Sequence, residues 1–387
     1  MLALLAVGEL LAMSLWFTAS AVSPWLAVSW DLTAQQVGWL TAAVQLGFVA
    51  GCAAAAFLNL ADVLPARLYF AISALLAAGA NAALVGASDL RTGLALRFVT
   101  GICLAGVYPP ALKMGATWFR RGRGLAIGVI VGALTAGKAT PYLVRAVESA
   151  GLAGVVLTAS ASAAAAALLV GLCYRDGPYP FDRRPFSWKL IGLVARHRET
   201  REALGGYCGH MLELYAVWTW IPAFLAAAAA TAGARAPSSS AVDLAAFGAI
   251  ASGALGCVLG GVWADRIGRA RWTIISMAGS GACCLLAGLV FGASWWILVV
   301  FAWIWGFLVV ADSAQFSALV TEVAPSYAVG TILTFQISVG FALTTITIQA
   351  VPWAVDLLGG WRWAFAGLAI GPALGILAIW PLQRKEK

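Results

Sequence analysis

Six ionisable side chains lie inside long apolar stretches of the sequence. They are Glu9, Arg97, Lys138, His210, Glu213 and Asp312. A charged side chain in the apolar core of a bilayer costs roughly 2.5–3.5 kcal/mol on insertion scales. Residues kept at such a cost are expected to bind a substrate, carry protons or do both. We therefore take these six residues as the candidate site.

The three carboxylates and one histidine in this set suit proton transfer. Carboxylates that lie close together compete for ionisation, so that one of them can hold a proton near neutral pH. Histidine changes its charge in the same pH range. The sequence thus favours an acidic central cavity for a cationic or neutral substrate, because acids and aromatic rings together suit an organic cation.

Two other kinds of substrate stay open. His210 and Glu213 are three residues apart, on one face of a helix, and would bind a divalent or transition-metal ion together with Glu9 or Asp312. Arg97 and Lys138 would instead bind an organic anion. The sequence leaves the presence of a metal site open, and we expect no cofactor.

Composition indicates that these residues are carried by membrane-spanning helices. Of the 387 residues, 62% are hydrophobic and 10% are charged, against about 25% charged in a soluble domain. The mean hydropathy is +0.90. A span needs roughly 20 mostly apolar residues, which predicts an all-α integral membrane protein with twelve spans: 3–28, 34–58, 68–87, 92–116, 123–146, 152–174, 203–230, 241–263, 272–292, 295–318, 328–352 and 361–382.

The distribution of positive charge predicts how the spans are oriented. If the chain starts on the cytoplasmic side, 18 of the 24 lysines and arginines fall on that side, as the positive-inside rule requires. The net charge of +8 therefore marks topology and does not indicate a nucleic-acid partner. We expect a multi-pass protein of the cell inner membrane with both termini in the cytoplasm.

The longest polar break, residues 175–201, divides the chain near its middle. It contains three prolines, which exclude a regular helix from its first part, while residues 187–200 suit a short amphipathic helix on the inner surface. We expect an N-terminal six-helix bundle at 1–174, a cytoplasmic linker at 175–201 and a C-terminal six-helix bundle at 202–387. Asp62 and Asp265 occupy similar loops 203 residues apart, which indicates an internal repeat.

The loop at 261–271 reads Gly-Val-Trp-Ala-Asp-Arg-Ile-Gly-Arg-Ala-Arg. Gly261 would let two helix ends approach, Asp265 would cap the following helix and pair with an arginine, and Gly268 would permit a tight turn. The expected loop motif comprises Asp62, Arg67, Gly261, Asp265, Arg266, Gly268 and Arg269.

This loop resembles the Gly-x-x-x-Asp-Arg-x-Gly-Arg signature of the major facilitator superfamily. Arg97 and Gly101 also resemble an Arg-x-x-x-Gly pattern carried by many proton-coupled members. The first-half loop keeps Asp62 and Arg67 but has Pro65 in place of the turn glycine. The resemblance implies two pseudo-symmetric six-helix bundles and a cavity lined by spans 1, 4, 7 and 10.

Five of the six candidate residues lie on those four spans, and Lys138 lies on span 5. Helical spacing adds further residues expected to line the cavity: Met13, Trp16, Tyr108, Tyr207, Trp220, Trp305, Gln315 and Gln336. We expect a secondary active transporter that works by alternating access, with proton coupling.

Other classes of function fit the sequence poorly. No GxxxxGK[ST] motif indicates a nucleotide site, and no HExxH motif indicates a metalloprotease. We therefore expect no enzymatic activity. The expected partners are a small molecule or ion, protons and the lipid bilayer, and we expect a monomer.

Overall fold

The computed structural model describes residues 1–119, 123–147, 149–179, 187–231, 236–325 and 327–384. Within these residues every regular element is a helix. Twelve stretches are long and apolar enough to cross a membrane, which confirms the predicted number of spans. Numbered 1 to 12 in chain order, the spans are Leu2–Trp30, Ala34–Phe57, Ala66–Gly86, Leu90–Ala116, Gly124–Arg145, Gly151–Cys173, Arg198–Ala230, Ser239–Ile267, Arg269–Val290, Trp295–Val323, Val329–Leu358 and Ala366–Gln383.

Consecutive spans run in opposite directions, so Leu2 and Gln383 lie at the same end of the molecule. We call this end the terminal face and the opposite end the distal face. Spans 1–6 form the first half of the chain and spans 7–12 the second half.

Two spans extend beyond their predicted apolar limits, and a third begins later than predicted. Span 7 begins at Arg198, so the last four residues of the predicted linker are helical, and span 8 continues to Ile267 instead of ending at 263. Span 12 begins at Ala366 and not at 361. Helical hydrogen bonding continues where hydropathy falls, because charged residues at a span end remain good helix formers in water.

Three spans are interrupted near their middle. Span 1 consists of helices Leu2–Met13 and Thr18–Trp30, span 4 of Leu90–Leu104 and Tyr108–Ala116, and span 10 of Trp295–Leu308 and Ser313–Val323. The breaks in spans 4 and 10 begin at Ala105 and Val309, 204 residues apart. This offset matches the 203 residues between Asp62 and Asp265 and indicates equivalent positions in the two halves.

Local side-chain bonds set the starts of several helices. Thr33 and Gln36 form a reciprocal capping box at the start of span 2. The Asp89 carboxylate accepts from the Thr92 backbone at span 4, and Ser238 does the same for Ala241 at span 8. These bonds satisfy backbone N–H groups that have no partner within a helix.

A short helix precedes the second half, as predicted from the amphipathic pattern. It spans Trp188–Arg196, and His197 then caps span 7 by accepting a hydrogen bond from the Thr200 backbone. The Ser187 backbone N–H donates to the Thr331 hydroxyl at 3.2 Å, which attaches this segment to the terminal end of span 11. Residues 180–186 lie outside the described part of the chain.

Small residues allow close packing along the spans. Gly128 and Gly132 of span 5 lie against the backbone of Cys257 and Ala254 in span 8, so the two halves meet along this helix pair. Within the second half, Gly306 of span 10 is in such close contact with span 8 that a Cβ would overlap the Ala249 carbonyl oxygen.

Replacing Gly306 by alanine is expected to destabilise the protein by about 1–3 kcal/mol, because the new methyl group must push spans 8 and 10 apart. Thermal unfolding of the purified protein measures the effect. Gly79→Ala is the matched control, since a Cβ there meets no atom within 4 Å. Equal melting temperatures for the two variants would contradict the packing described here.

Candidate functional site

A cavity of about 40 Å³ lies between the two halves, near the middle of the spans. Its lining comes from spans 4, 5, 7, 10 and 11, and includes the predicted residues Tyr108 and Tyr207. Lys138 is the only lining residue with a basic or acidic side chain among the described residues. The described lining contains no carboxylate, so the structure does not confirm the acidic cavity expected from the sequence.

Aromatic rings surround the Lys138 ammonium. The Nζ atom lies 4.1 Å from the centre of the Trp16 ring, 4.8 Å from Tyr215 and 5.6 Å from Trp218. It also donates a hydrogen bond to the Tyr215 hydroxyl. Electron-rich ring faces attract a cation, most strongly where water is excluded, and Lys138 is almost fully buried.

We call Lys138, Trp16, Tyr215 and Trp218 the lysine box. Lys138 and Trp16 belong to the first half, and Tyr215 and Trp218 to span 7 in the second half. Phe341 of span 11 packs against Trp16 and Tyr215, with ring centroids 5.5 and 5.2 Å apart. The box thus joins the two halves at the cavity through one cation and the rings around it.

Glu9 is fully buried in span 1, and neither of its carboxylate oxygens has a hydrogen-bond partner among the described residues. Lys138 is close enough to interact with it electrostatically. Spans 1 and 5 are in close contact beside these two residues, because Gly137 lies directly against the Leu10 carbonyl. An ionised carboxylate is costly to bury without hydrogen bonds, so the Glu9 site suits a carboxyl group that gains and loses a proton.

His210 and Asp312 form a second buried pair, between spans 7 and 10. His210 Nδ1 lies 2.9 Å from Asp312 Oδ1, and His210 Nε2 has no partner among the described residues. Asp312 is the last residue of the break in span 10, directly before the helix that begins at Ser313. The pair lies inside the second half and does not line the cavity.

Glu213 is held by three donors within the second half. Its Oε1 accepts from Trp305 Nε1 at 3.0 Å and from Cys284 Sγ at 3.1 Å, and its Oε2 accepts from the Ser280 hydroxyl at 2.8 Å. His210 and Glu213 share a helix face, but their side chains have different partners: His210 pairs with Asp312, and Glu213 does not. Within the described residues, no group of three or more His, Cys, Asp or Glu side chains is placed to hold a metal ion.

Arg97 is buried and bonds to the break in span 1. Its Nη2 donates to the carbonyls of Leu15 and Trp16 at 3.0 and 2.6 Å, and its Nη1 donates to Asn81 Oδ1 at 2.9 Å. These two carbonyls lie where span 1 is not helical. The guanidinium thus replaces helical hydrogen bonds and fixes Trp16, a ring of the lysine box.

The other residues predicted to line the cavity lie elsewhere. Trp305 donates to Glu213, Gln315 accepts from Arg269 at 2.8 Å, and Met13 and Gln336 are buried outside the lining. Trp220 donates to the Ile348 carbonyl near the distal face. The sequence placed these residues on the correct spans but could not give the rotation of each helix.

The loop motif lies at the terminal face. Arg269 pairs with Asp265 at 3.1 Å and with Glu322 at 2.6 Å, which links it to the end of span 10. Gly268, with φ of 97°, makes the predicted turn between spans 8 and 9. Asp265 was expected to cap the next helix, and this is wrong, because Gly268 holds that position without a side-chain bond.

The remaining residues of the motif have varied surroundings. A Cβ on Gly124 of span 5 would lie 3.8 Å from the Asp265 carboxylate, and a Cβ on Gly261 would lie 3.8 Å from the Gly124 carbonyl oxygen, so the loop faces the first half. Arg266 is exposed. In the first-half copy Arg67 is exposed, while the Asp62 side chain lies outside the described part of the structure.

Sequence analysis missed three residues of the site. Tyr215, Trp218 and Phe341 contact the lysine box or line the cavity. The spacing of Met211, Tyr215 and Trp218 on one face of span 7 would have indicated the first two.

Comparison with known proteins identifies the class. Residues 5–235 match the family model of the Major Facilitator Superfamily, and this match covers more than half of the chain. The chain belongs to the major facilitator superfamily and is a multi-pass membrane protein of a family of secondary transporters. No curated protein matches the sequence significantly.

Among the solved structures, the fold is similar to a bacterial homologue of the human lysosomal transporter Spinster, in an inward-facing and unoccupied conformation. The TM-score is 0.76 over 99% of this chain and 96% of the other, with 13% sequence identity. At this identity the similarity concerns the fold alone.

Arg97→Gln is expected to lower thermal stability, since it removes the donor to the buried Trp16 carbonyl, at a cost of about 1–3 kcal/mol, and leaves the Leu15 carbonyl with only its longer bond from the Thr18 backbone. Arg91→Gln is the matched control, because Arg91 is exposed on the same helix. Unfolding of both variants in detergent measures the difference. If Arg97→Gln unfolds at the temperature of the control, the arginine does not support the break.

Proposed function

We propose that the protein is a proton-coupled secondary transporter of a small organic anion. Lys138 supplies the charge that binds the anion, and Glu9 carries the proton. The two halves act as six-helix bundles that expose the cavity alternately at the two faces. The single observation that carries the proposal is the position of Lys138, which is the one charged residue of the cavity lining among the described residues and contacts rings of both halves.

The lining supports an anion over the cationic or neutral substrate expected from the sequence. No carboxylate among the described residues lines the cavity, so a bound organic cation would meet an ammonium and no opposite charge. A carboxylate would pair with Lys138 and with the hydroxyl groups of Tyr215 and Tyr108. Trp218 and Phe341 provide an apolar wall for the rest of the molecule.

The proposed proton coupling rests on the electrostatic interaction between Glu9 and Lys138. Glu9 interacts electrostatically with Lys138 and has no hydrogen-bond partner among the described residues. When an anion binds Lys138, an ionised Glu9 would leave two negative charges beside one ammonium. Protonation of Glu9 removes this repulsion, so anion and proton are expected to move in the same direction.

The orientation in the membrane and the assembly of the protein are part of the proposal. The positive charges favour a cytoplasmic terminal face in the cell inner membrane. We keep the expectation of a monomer, of residues 1–174 and 202–387 as the moving bundles, and of lipid as the only other partner. The His210–Asp312 pair is a second candidate proton carrier, in the second half.

Lys138→Gln is expected to reduce saturable uptake of benzoate by at least about tenfold, because a charge-assisted hydrogen bond contributes about 1.5–3 kcal/mol. The measurement is uptake of radiolabelled benzoate into proteoliposomes under an imposed inward proton gradient. Lys113→Gln, at the terminal end of span 4, controls for the loss of a positive charge. Uptake of tetraethylammonium in place of benzoate, or uptake indifferent to Lys138, would contradict the proposal.

Glu9→Gln is expected to abolish accumulation driven by the proton gradient while benzoate exchange between the two sides continues. Glu213→Gln is the matched control, because a glutamine there can still accept from Trp305 and donate to Ser280. Comparison of gradient-driven uptake with exchange separates coupling from binding. Gradient-driven accumulation that persists in Glu9→Gln would assign the proton to another group.

A further inference from the structure

A second void lies on the distal side of the cavity, again between the two halves. Its volume is about 110 Å³, larger than the central cavity. Its hydroxyl and charged side chains are Ser20, Ser23, Thr41 and Arg145 in the first half and Thr219 in the second half. The void has no part in the function described so far.

Arg145 crosses from the first half to the second at this level. Its Nε donates to Asp243 Oδ1 at 2.7 Å, and Nη2 donates to the same oxygen. Its Nη1 donates to the Ala21 carbonyl of span 1 at 2.7 Å. Asp243 is buried near the start of span 8, so the ion pair closes the distal end of the helix pair formed by spans 5 and 8.

Lys138 and Arg145 occupy one face of span 5. They are seven residues apart, which is two helical turns and a rise of about 10 Å along the axis. Lys138 lines the central cavity, and Arg145 lines the void on its distal side. An anion that enters from the distal face would therefore meet Arg145 before it reaches Lys138.

We propose that Arg145 is a second anion-binding residue at the distal entrance, and that Asp243 occupies it while this entrance is closed. Opening of the distal face separates spans 5 and 8 and frees the guanidinium, and the carboxylate of the incoming substrate then replaces that of Asp243. The inference rests on the proposed transport of an organic anion and adds a second binding step to it.

The geometry suits such an exchange of carboxylates. A planar guanidinium presents paired donors that match a carboxylate of any origin. The bond from Nη1 to the Ala21 carbonyl lies within the first half, so it keeps the guanidinium in place after Asp243 has moved away. The hydroxyl groups of Ser20 and Thr41 lie around the same void and bond to each other at 2.5 Å, so one of the two can donate to a bound anion. The Thr219 hydroxyl donates to the Tyr215 carbonyl and can only accept.

A simple latch between the halves makes a different prediction from a binding site. In a latch, Arg145→Gln and Asp243→Asn break the same ion pair and shift transport in the same direction. In a binding site, loss of Arg145 removes the group that binds the anion. Loss of the Asp243 charge instead removes the carboxylate that competes with the anion for Arg145. The two substitutions then have opposite effects on the concentration of anion needed at the distal face.

The test measures half-saturation for benzoate at the distal face of reconstituted protein, with vesicles of the two orientations assayed separately. Arg145→Gln is expected to raise this concentration about tenfold, and Asp243→Asn to lower it several-fold. Arg145→Lys keeps the charge but loses the paired donors. Its half-saturation concentration is expected to lie between those of the wild type and Arg145→Gln. Arg91→Gln, which removes an exposed charge from the same face, is the control.

Each outcome decides between the two ideas. Opposite shifts for the Arg145 and Asp243 variants, at melting temperatures close to that of wild type, support the site. Shifts in the same direction, or no shift, while benzoate uptake still depends on Lys138, overturn the site and leave the proposed function intact. Absence of benzoate transport by the wild type overturns the proposed function and this inference together.

Discussion

One buried ammonium, enclosed by aromatic rings from both halves of the chain, determines the organisation of the site. Lys138 lies against Trp16 in its own half and against Tyr215 and Trp218 across the interface. Burial of a cation without a carboxylate in hydrogen-bond contact requires other compensation, and ring faces with one hydroxyl group provide it. A group that enters the cavity with a negative charge changes this balance and with it the contact between the halves.

The neighbouring features follow from the need to hold these rings in place. Trp16 lies in a break of span 1, and the carbonyls freed by that break are bonded by Arg97, which is itself fixed by Asn81. Span 5 approaches span 1 closely enough for Glu9 to interact with Lys138, because residue 137 is glycine. The buried charges Glu9, Arg97 and Lys138 of the first half thus form one connected arrangement, although in the described part of the chain Lys138 alone among them lines the cavity.

Much of the fold could be predicted from the sequence, because hydropathy over 20 residues and the loop at 261–271 are strong signals. All twelve spans were found, and the turn at Gly268 has the expected positive φ. The site was predicted only at the level of residues and spans. Helix rotation decides whether a carboxylate faces the cavity, and it depends on packing between distant segments, as Glu213 with Ser280 illustrates. The breaks in spans 1 and 10 also left no clear signal, because side chains of other helices bond to their carbonyls, Arg97 to Trp16 and Trp272 to Ala311.

Equilibrium binding of radiolabelled benzoate to the purified protein measures whether Lys138 binds the anion, since it needs neither a gradient nor a working transport cycle. We expect saturable binding of one benzoate at the central cavity in the wild type and in Lys113→Gln, and at least a tenfold weaker affinity in Lys138→Gln. Unchanged affinity in Lys138→Gln, with the protein folded, would show that the buried ammonium is not the charge that binds the anion.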